Sequence, residues 1–288
     1  MSQGDAAIAV LGSSVRADER RLLDALDRRG ISHSWIDSRR LFFPLVSPGR
    51  FPWRCVLNRE IGQVRAAYAA KALEAGGALV LNHSACVDVC GDKWRTSLAL
   101  AAAGLPVPRT ALALTPPAGL AALEEIGYPA LIKPLVGSWG RLIVELRDAA
   151  MARDVFEYVA ALPGPHSHLV YVQELVAKPG RDIRAIVLDG ELLGAIYRIA
   201  DDMRTNVARG AVSKPCPQTP ELAKLAIEAA AAVGAEIAAV DLVEDEAGDL
   251  LVLEVNHRVE FSGFQQAMGD QIDVADRIVE LLISRVSQ

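Results

Sequence analysis

Two apolar runs near the end of the chain, Ile237 to Val243 and Leu250 to Val255, are separated by the polar turn Asp245 to Asp249. Runs of this length around a short polar turn specify neighbouring strands of a buried sheet, which limits the chain to folds built on a sheet core. That sheet must also take up charge. Asp241 falls in the first run, Glu254 lies in the second and Asn256 just beyond it, and period-two alternation puts Glu254 and Asn256 on one face. Between neighbours such as Val240, Leu242, Leu253 and Val255, unpaired carboxylates would be costly. Two carboxylates and an amide oxygen at one sheet end form a hard-oxygen set suited to Mg²⁺, an ion that keeps waters and shares substrate phosphates. The bland alternative is a pair of solvent-facing strand residues, which the apolar neighbours disfavour.

Upstream, the pattern alternates. Ala6 to Leu11 reads as a strand, Gly12-Ser13-Ser14 as a loop and Asp18 to Arg29 as a helix stopped by Gly30. Strands over Ile31 to Ile36, Arg54 to Leu57 and Ala78 to Leu81, with a helix over Gln63 to Ala75, make the first ninety residues a small open α/β unit with largely parallel strands. An Asp92-capped helix from Lys93 to Ala103 opens a second region. There Ala130 to Lys133 runs through a glycine-containing loop into Leu142 to Leu146, followed by a helix over Asp148 to Leu162 and a strand over Leu169 to Glu174. Ile183 to Leu188 and Leu192 to Tyr197 form a hairpin around Asp189-Gly190, and helices cover Glu221 to Val233 and Val274 to Ile283. Lys214 to Pro220 reads as a proline-marked linker. With 288 residues, the expected division is 1–90, 91–172 and 173–288, three α/β (α+β) regions around a shared cleft.

Composition closes off other classes. A net charge of -6 and an aromatic content of 5% argue against a nucleic-acid platform or an anionic-lipid surface. The start MSQGDAAIAVLGSS has no cationic region, and no run reaches the roughly 18 apolar residues of a membrane span, so a cytoplasmic address is expected. Cys55, Cys86, Cys90 and Cys216 form no Cys-x-x-Cys pair, so reduced thiols are the default, although His83, Cys86 and Cys90 lie close in sequence.

Several cations sit where an anion would be welcome. Lys93 opens a helix, where the dipole disfavours it, and Lys133 ends a strand leading into Gly137, Ser138 and Gly140, whose N–H groups can cradle a phosphate. Two surface lysines and an ordinary turn would explain these residues equally well. Tyr171 to Val176 is an extended segment whose main chain can read an adenine edge, with Glu174 or Asp182 accepting ribose hydroxyls. Arg184, Arg198, Arg204 and Arg209 with Asn206 concentrate guanidinium groups near the carboxylate strands, which fits phosphoryl-group stabilisation.

Taken in order, Lys93, IKPLVGSWGR, QELVAKPGRDIRAIV, TNVARG, VDLV and LEVNH resemble the ATP-grasp superfamily, in particular the branch of the ribosomal protein S6 modification ligase. CGDKWRTSLALAAAGLPVPRT, GSWGR, KPGRDIR and EVNHRVEF are similar to the LysX and ArgX ligases of amino-group carrier protein pathways, from about Ala85 to the last helix. The resemblance implies an ATP-grasp fold and a ligase that phosphorylates the side-chain carboxylate of a carrier's C-terminal glutamate, then lets an amino acid's α-amino group attack it. It implies that Lys93 and Lys133 hold ATP phosphates, that Gly137, Ser138, Trp139 and Gly140 cover them, and that Gln173, Glu174, Leu175 and Val176 line adenine. By the same resemblance, Asp182 and Asn206 complete the nucleotide site, Asp241, Glu254 and Asn256 hold two Mg²⁺ ions, and Arg184, Arg198 and Arg209 steady the acyl phosphate and substrate carboxylates.

Arg258 to Phe264 looks like the stretch that sorts the amino acid in these ligases, with Glu260, Phe261, Ser262, Gly263 and Phe264 as substrate-binding candidates. The chain departs from the aminoadipate-type pattern there, carrying Ser-Gly-Phe, a form closer to the glutamate-accepting one, and it has Ala211 where the family has glycine. Glutamate, 2-aminoadipate or an unusual analogue is therefore the expected substrate. The implied partners are a small acidic carrier protein and further copies of the chain in a dimer or tetramer, with no nucleic acid and no membrane. Arg39, Arg40, Arg50, Arg54, Arg59 and Arg65 are placed to steer an acidic carrier. Two alternatives stay open: a free-standing peptide or polyglutamate ligase, and a nucleotide-binding subunit without turnover.

Overall fold

The computed structural model describes residues 7–45, 51–137, 142–199 and 212–287. The first unit is a parallel sheet of β1 (Ile8–Gly12), β2 (His33–Asp37), β3 (Cys55–Asn58) and β4 (Leu79–Leu81) in the order β2-β1-β3-β4. Strands β1 and β3 are buried throughout, as continuous apolar runs covered on both faces should be. Helix α1 (Ala17–Arg28) lies on one side. Helix α2 (Gln63–Ala75) packs on the other, with Ala69, Ala70 and Leu73 against Ala9, Leu11, Val56 and Val80. Its alanines let it approach the sheet closely.

Helices α3 (Ser84–Cys90) and α4 (Lys93–Ala102) follow, α4 capped by Asp92, whose carboxylate accepts from the N–H groups of Trp94 and Arg95. The central unit is an antiparallel sheet of β5 (Thr110–Ala113), β6 (Ala130–Lys133), β7 (Val144–Leu146) and β8 (Val170–Glu174), ordered β5-β8-β6-β7. It is backed by α5 (Pro116–Ile126) and α6 (Ala149–Ala161), with Leu123, Phe156, Leu146 and Val172 at the centre of a separate core. The third unit is a five-stranded antiparallel sheet, β11-β10-β9-β12-β13, of β9 (Arg181–Leu188), β10 (Glu191–Ile199), β11 (Val212–Pro215), β12 (Ile237–Glu244) and β13 (Leu250–Asn256). Helix α7 (Pro220–Ala232) covers one face, while α8 (Ser262–Met268) and α9 (Val274–Ser287) lie on the other.

That other face is shared with the first unit. One core joins Ile8, Val10, Leu22, Leu26 and Leu57 to Ile186, Ile196, Ile237, Phe261, Phe264 and Ile278. The buried Asn82 side chain fastens the seam, donating to the carbonyls of Ile237 and His257, both at 2.7 Å, and accepting from the N–H groups of Glu236 and Ile237. All of its hydrogen-bonding capacity in that junction is used, as a buried amide requires.

Two expected boundaries shift. The division between residues 172 and 173 cuts through β8, whose pairing with β6 continues to Glu174. Helix α4, assigned by sequence to the central region, buries Leu100 in the core of the third unit, packing beside α7 on the face that carries β13. Strand β11 occupies part of the expected linker, and its Pro215 is tolerated because β11 is an edge strand. Helices α3, α5 and α8 and strand β5 had no counterpart in the sequence reading. Among the described residues no helix is long and apolar enough to cross a membrane.

Candidate active site

Strands β9, β10, β12 and β13 bring the acidic and cationic residues together in register. Asp241 pairs with Arg184 across β9 and with Glu254 across β13, and a bulge follows Asp241. Arg184 grips Asp241 with both arms, Nε to Oδ1 and Nη2 to Oδ2, each at 2.8 Å. Arg198 on β10 donates from Nε to Asp182 Oδ1 at 2.6 Å and brings Nη2 within 3.2 Å of Asp241 Oδ2. Burial alone would raise the Asp241 carboxyl, but Arg184 and Arg198 outweigh it and hold its pKa at about 2. Asn256 Nδ2 donates to Glu254 Oε1 at 3.2 Å and lies 3.4 Å from Asp241 Oδ2. The three residues read from the hairpin as a metal-type donor set are therefore adjacent. Among the described residues no group of three or more His, Cys, Asp and Glu could hold a metal ion, and the candidate set here is two carboxylates and one amide.

Opposite lies a concentration of lysines. Lys133, at the end of β6, is half-buried and donates to Gln173 Oε1 at 2.5 Å. Burial lowers its pKa to about 8, nearby Lys93 and Lys178 push the same way, and Glu254 opposes them. Lys93 donates from Nζ to Gly137 O at 2.7 Å, so the start of α4 and the end of the β6 loop meet through that lysine. Gln173 is oriented by donating from Nε2 to Thr110 Oγ1 and Tyr171 Oη, both at 3.0 Å, which leaves its carbonyl for Lys133. Tyr171 Oη is in turn 2.9 Å from Ser97 Oγ on α4. Lys178, which stood unremarked in the KPGRD segment, reaches within 3.8 Å of Asp182 and adds a third ammonium.

Three ammonium groups crowded against one another at a buried strand end fit a polyphosphate, since an anion there relieves both their mutual repulsion and the desolvation of Lys133. The ionised Asp241, with the oxygens of Glu254 and Asn256, fits a divalent hard cation. Glu174 accepts from Arg109 N at 2.8 Å and Arg109 Nε at 2.6 Å, at the beginning of the segment expected to line adenine, and Leu175 N donates to Pro129 O at 3.2 Å. Val176 follows on the same connector. Ser138, Trp139, Gly140, Asn206 and Arg209 lie outside the described residues.

The chain from 258 to 264 crosses from the end of β13 to α8. Phe261 and Phe264 are buried in the shared core, and Asp18 of α1 accepts from Phe261 N at 3.0 Å and from the Ser262 hydroxyl. Gly263 lies in the first turn of α8. Within this stretch Arg258 and Glu260 are partly exposed and pair with each other, Glu260 also with Arg16. The steering arginines divide as well: Arg59 is buried, donating to Glu19 Oε1 at 3.0 Å and Val259 O at 2.7 Å, whereas Arg39 and Arg65 are exposed but paired with Asp37 and Glu60. Arg50 lies outside the described residues.

A RimK-like ATP-grasp domain model matches residues 90–282, and a LysX preATP-grasp domain model matches residues 8–89. The chain belongs to the RimK-like ATP-grasp ligases. It is 31% identical over 284 residues to the glutamate–LysW ligase ArgX of Sulfurisphaera tokodaii, covering 98% of this chain and 99% of that one. It is 32% identical over 201 residues to the α-aminoadipate–LysW ligase LysX of Saccharolobus solfataricus, covering 69% and 73% of the two chains. A crystal structure of a RimK domain ATP-grasp protein from Sphaerobacter thermophilus superposes with a TM-score of 0.81 at 26% identity, covering 96% of this chain and all of the other. An ATP-grasp fold implies ATP binding.

Proposed function

We propose that this RimK-like ATP-grasp chain joins the α-amino group of an amino acid to the side-chain carboxylate of a C-terminal glutamate on a small acidic carrier protein. The observation that carries the reading is the gathering of Lys93 and Lys178 around Lys133, with Glu254 of the Asp241–Glu254–Asn256 set near enough to act on it. The similarity over nearly the whole chain to an enzyme named as a glutamate–LysW ligase supports the choice of carrier and amino acid.

In this reading a carrier carboxylate oxygen attacks the terminal phosphorus of ATP and ADP leaves, giving an acyl phosphate. The amine nitrogen then attacks the acyl carbon, loses a proton and expels phosphate as the amide forms. Lys133 and Lys93 bind the phosphate oxygens and hold them in line with the attacking carboxylate. Arg184 and Arg198 fix Asp241 and present guanidinium edges to the negative charge that builds up on the transferring group. Glu254, Asn256 and Asp241 would hold two Mg²⁺ ions, which neutralise phosphate charge when bound. No protein nucleophile takes part. The chain is expected to act as a dimer or tetramer.

The test is intact-mass spectrometry of an acidic carrier protein ending in glutamate, incubated with the chain, ATP, Mg²⁺ and candidate amino acids. A carrier heavier by one amino acid less water, with equimolar ADP, is the expected result. ADP formation that needs no carrier would replace this reading with that of a free-standing ligase.

A further inference from the structure

Three buried side-chain polar atoms among the described residues have no hydrogen-bond partner: Arg59 Nη2, Ser213 Oγ and Arg258 Nη1. Arg59 Nη2 still lies 2.8 Å from Glu19 Oε1, so its charge is met, and Ser213 is a neutral hydroxyl on an edge strand. Arg258 Nη1 is different. The other arm of its guanidinium donates to Glu260 Oε1 at 2.9 Å, and Glu260 is also held by Arg16 Nη1 at 3.1 Å. One edge of the group is thereby fixed in direction while Nη1 is enclosed with nothing among the described residues to receive its N–H, an arrangement that is costly unless a ligand supplies the acceptor.

The surroundings say what kind of acceptor fits. His257 lies between Asn256 and Arg258, and its Nε2 is 3.2 Å from Gln63 Oε1. The acids at this seam are already engaged: Asp18 with Phe261 N and Ser262, Glu19 with Arg16 and Arg59, and Glu260 with Arg16 and Arg258. Arg258 follows Asn256 by two residues beyond the end of β13, and its guanidinium lies close enough to Arg59 and His257 to act on both. It also faces the carboxyl-terminal edge of the parallel sheet, where Arg59 and Glu60 follow β3 and where open α/β sheets bind ligands. Arg16 and Glu260 are each about one-third exposed, which makes that side the open mouth of the seam.

We propose that Arg258 is the residue that receives a carboxylate of the incoming amino acid, with Nη1 as donor and the Arg16–Glu260 pair holding its guanidinium in place. The inference rests on the ligase reading and deepens it. A planar guanidinium anchored at one edge and bare at the other matches a carboxylate better than an ammonium or an amide.

The test is calorimetric binding of L-glutamate and L-2-aminoadipate to the full chain, wild type and R258Q, in the presence of ADP and Mg²⁺. R258Q should weaken binding of the acidic amino acid about 30-fold, equivalent to about 2 kcal/mol, while ADP affinity stays within about twofold. R258K, which keeps the charge and a donor toward Glu260, should lie between the two and guards against loss of folding in R258Q. L-glutamine and the α-amide of L-glutamic acid then identify the source. The analogue lacking the recognised carboxylate should bind wild type and R258Q equally, while the other keeps the full difference. The proposal is overturned if R258Q binds L-glutamate as well as wild type does, if both amides keep the full difference, or if wild type binds neither acidic amino acid. Tight glutamate binding with no adduct on any carrier would sink the ligase reading alone; normal adduct formation by R258Q at sub-saturating amino acid would sink the Arg258 assignment alone.

Discussion

Two buried groups of charges lie on either side of this molecule's central seam, and they are balanced differently. At the seam between the first and third units, Arg16, Arg59 and Arg258 face Asp18, Glu19 and Glu260 in alternating contact. In the cleft, among the described residues, Lys93, Lys133, Lys178, Arg184 and Arg198 face Asp182, Asp241 and Glu254, leaving cations in excess. Burial of charge costs heavily unless a partner is present. A balanced set closes on itself and holds the fold. An unbalanced one persists because something absent from the chain completes it, so the excess sign reports the charge of the missing ligand. Among the described residues of the seam, Arg59 Nη2 and Arg258 Nη1 lack a hydrogen-bond partner, and the former still lies 2.8 Å from Glu19.

The largest break in the comparison is Asp241→Asn. It removes the acceptor of two guanidinium groups and a metal-type donor together, and adduct formation should fall by about 10³-fold or more, measured by mass spectrometry of the carrier. Circular dichroism should still show the folded signal. Undiminished turnover would remove Asp241 from the site.

Next is Arg59→Met, which leaves Glu19 buried without its closest cation. Unfolding free energy should drop by about 3–5 kcal/mol in urea titrations. The double variant Arg59→Met, Glu19→Leu should recover most of that loss. If the single variant were as stable as wild type, the seam would not be the structural half of the pair.

A gentler probe is Lys133. In the free protein its pKa of about 8 leaves it partly neutral at pH 8.5, whereas a polyphosphate favours the ammonium. Nucleotide binding should therefore take up protons at that pH, in calorimetry run in buffers of different ionisation enthalpy. The uptake should vanish in Lys133→Met, with affinity reduced roughly 10- to 100-fold. Below pH 7 the free lysine is already charged and uptake should be absent. The smallest effect is expected at the exposed Arg28–Asp273 pair, 3.1 Å apart, where Asp273→Asn should shift stability by less than about 1 kcal/mol.

Much of this was legible from periodicity. The first-unit strands, α2 and the β12–β13 hairpin lie where apolar spacing put them, and the period-two rule alone set Glu254 beside Asn256. The misses have local causes. Helix α3 is short and capped by a histidine, His83, rather than by the usual Ser or Asp. Helix α8 begins at Ser262 directly behind Phe261 and carries Gly263 in its first turn. Proline in β11 disguised an edge strand as a linker. In the site, Lys93 and Lys133 stand out through their positions at element ends, whereas the sequence marks Arg59 only as one of six steering arginines and Arg258 only as the start of the substrate-sorting stretch. Their contacts join residues as far apart as Arg59 and Val259, and no local pattern records such a pairing.

The distribution of apolar cores has one further consequence. The first and third units share a core, while the central sheet, with Lys133 at its strand end, closes over its own. The central unit can thus tilt as a jaw without opening any hydrophobic interior, against an anvil formed by the other two. Lys133 rides on the jaw, while Asp241, Glu254 and Arg258 belong to the anvil. A bite on nucleotide would bring phosphate toward a stationary acceptor, and release would require only the jaw to swing back.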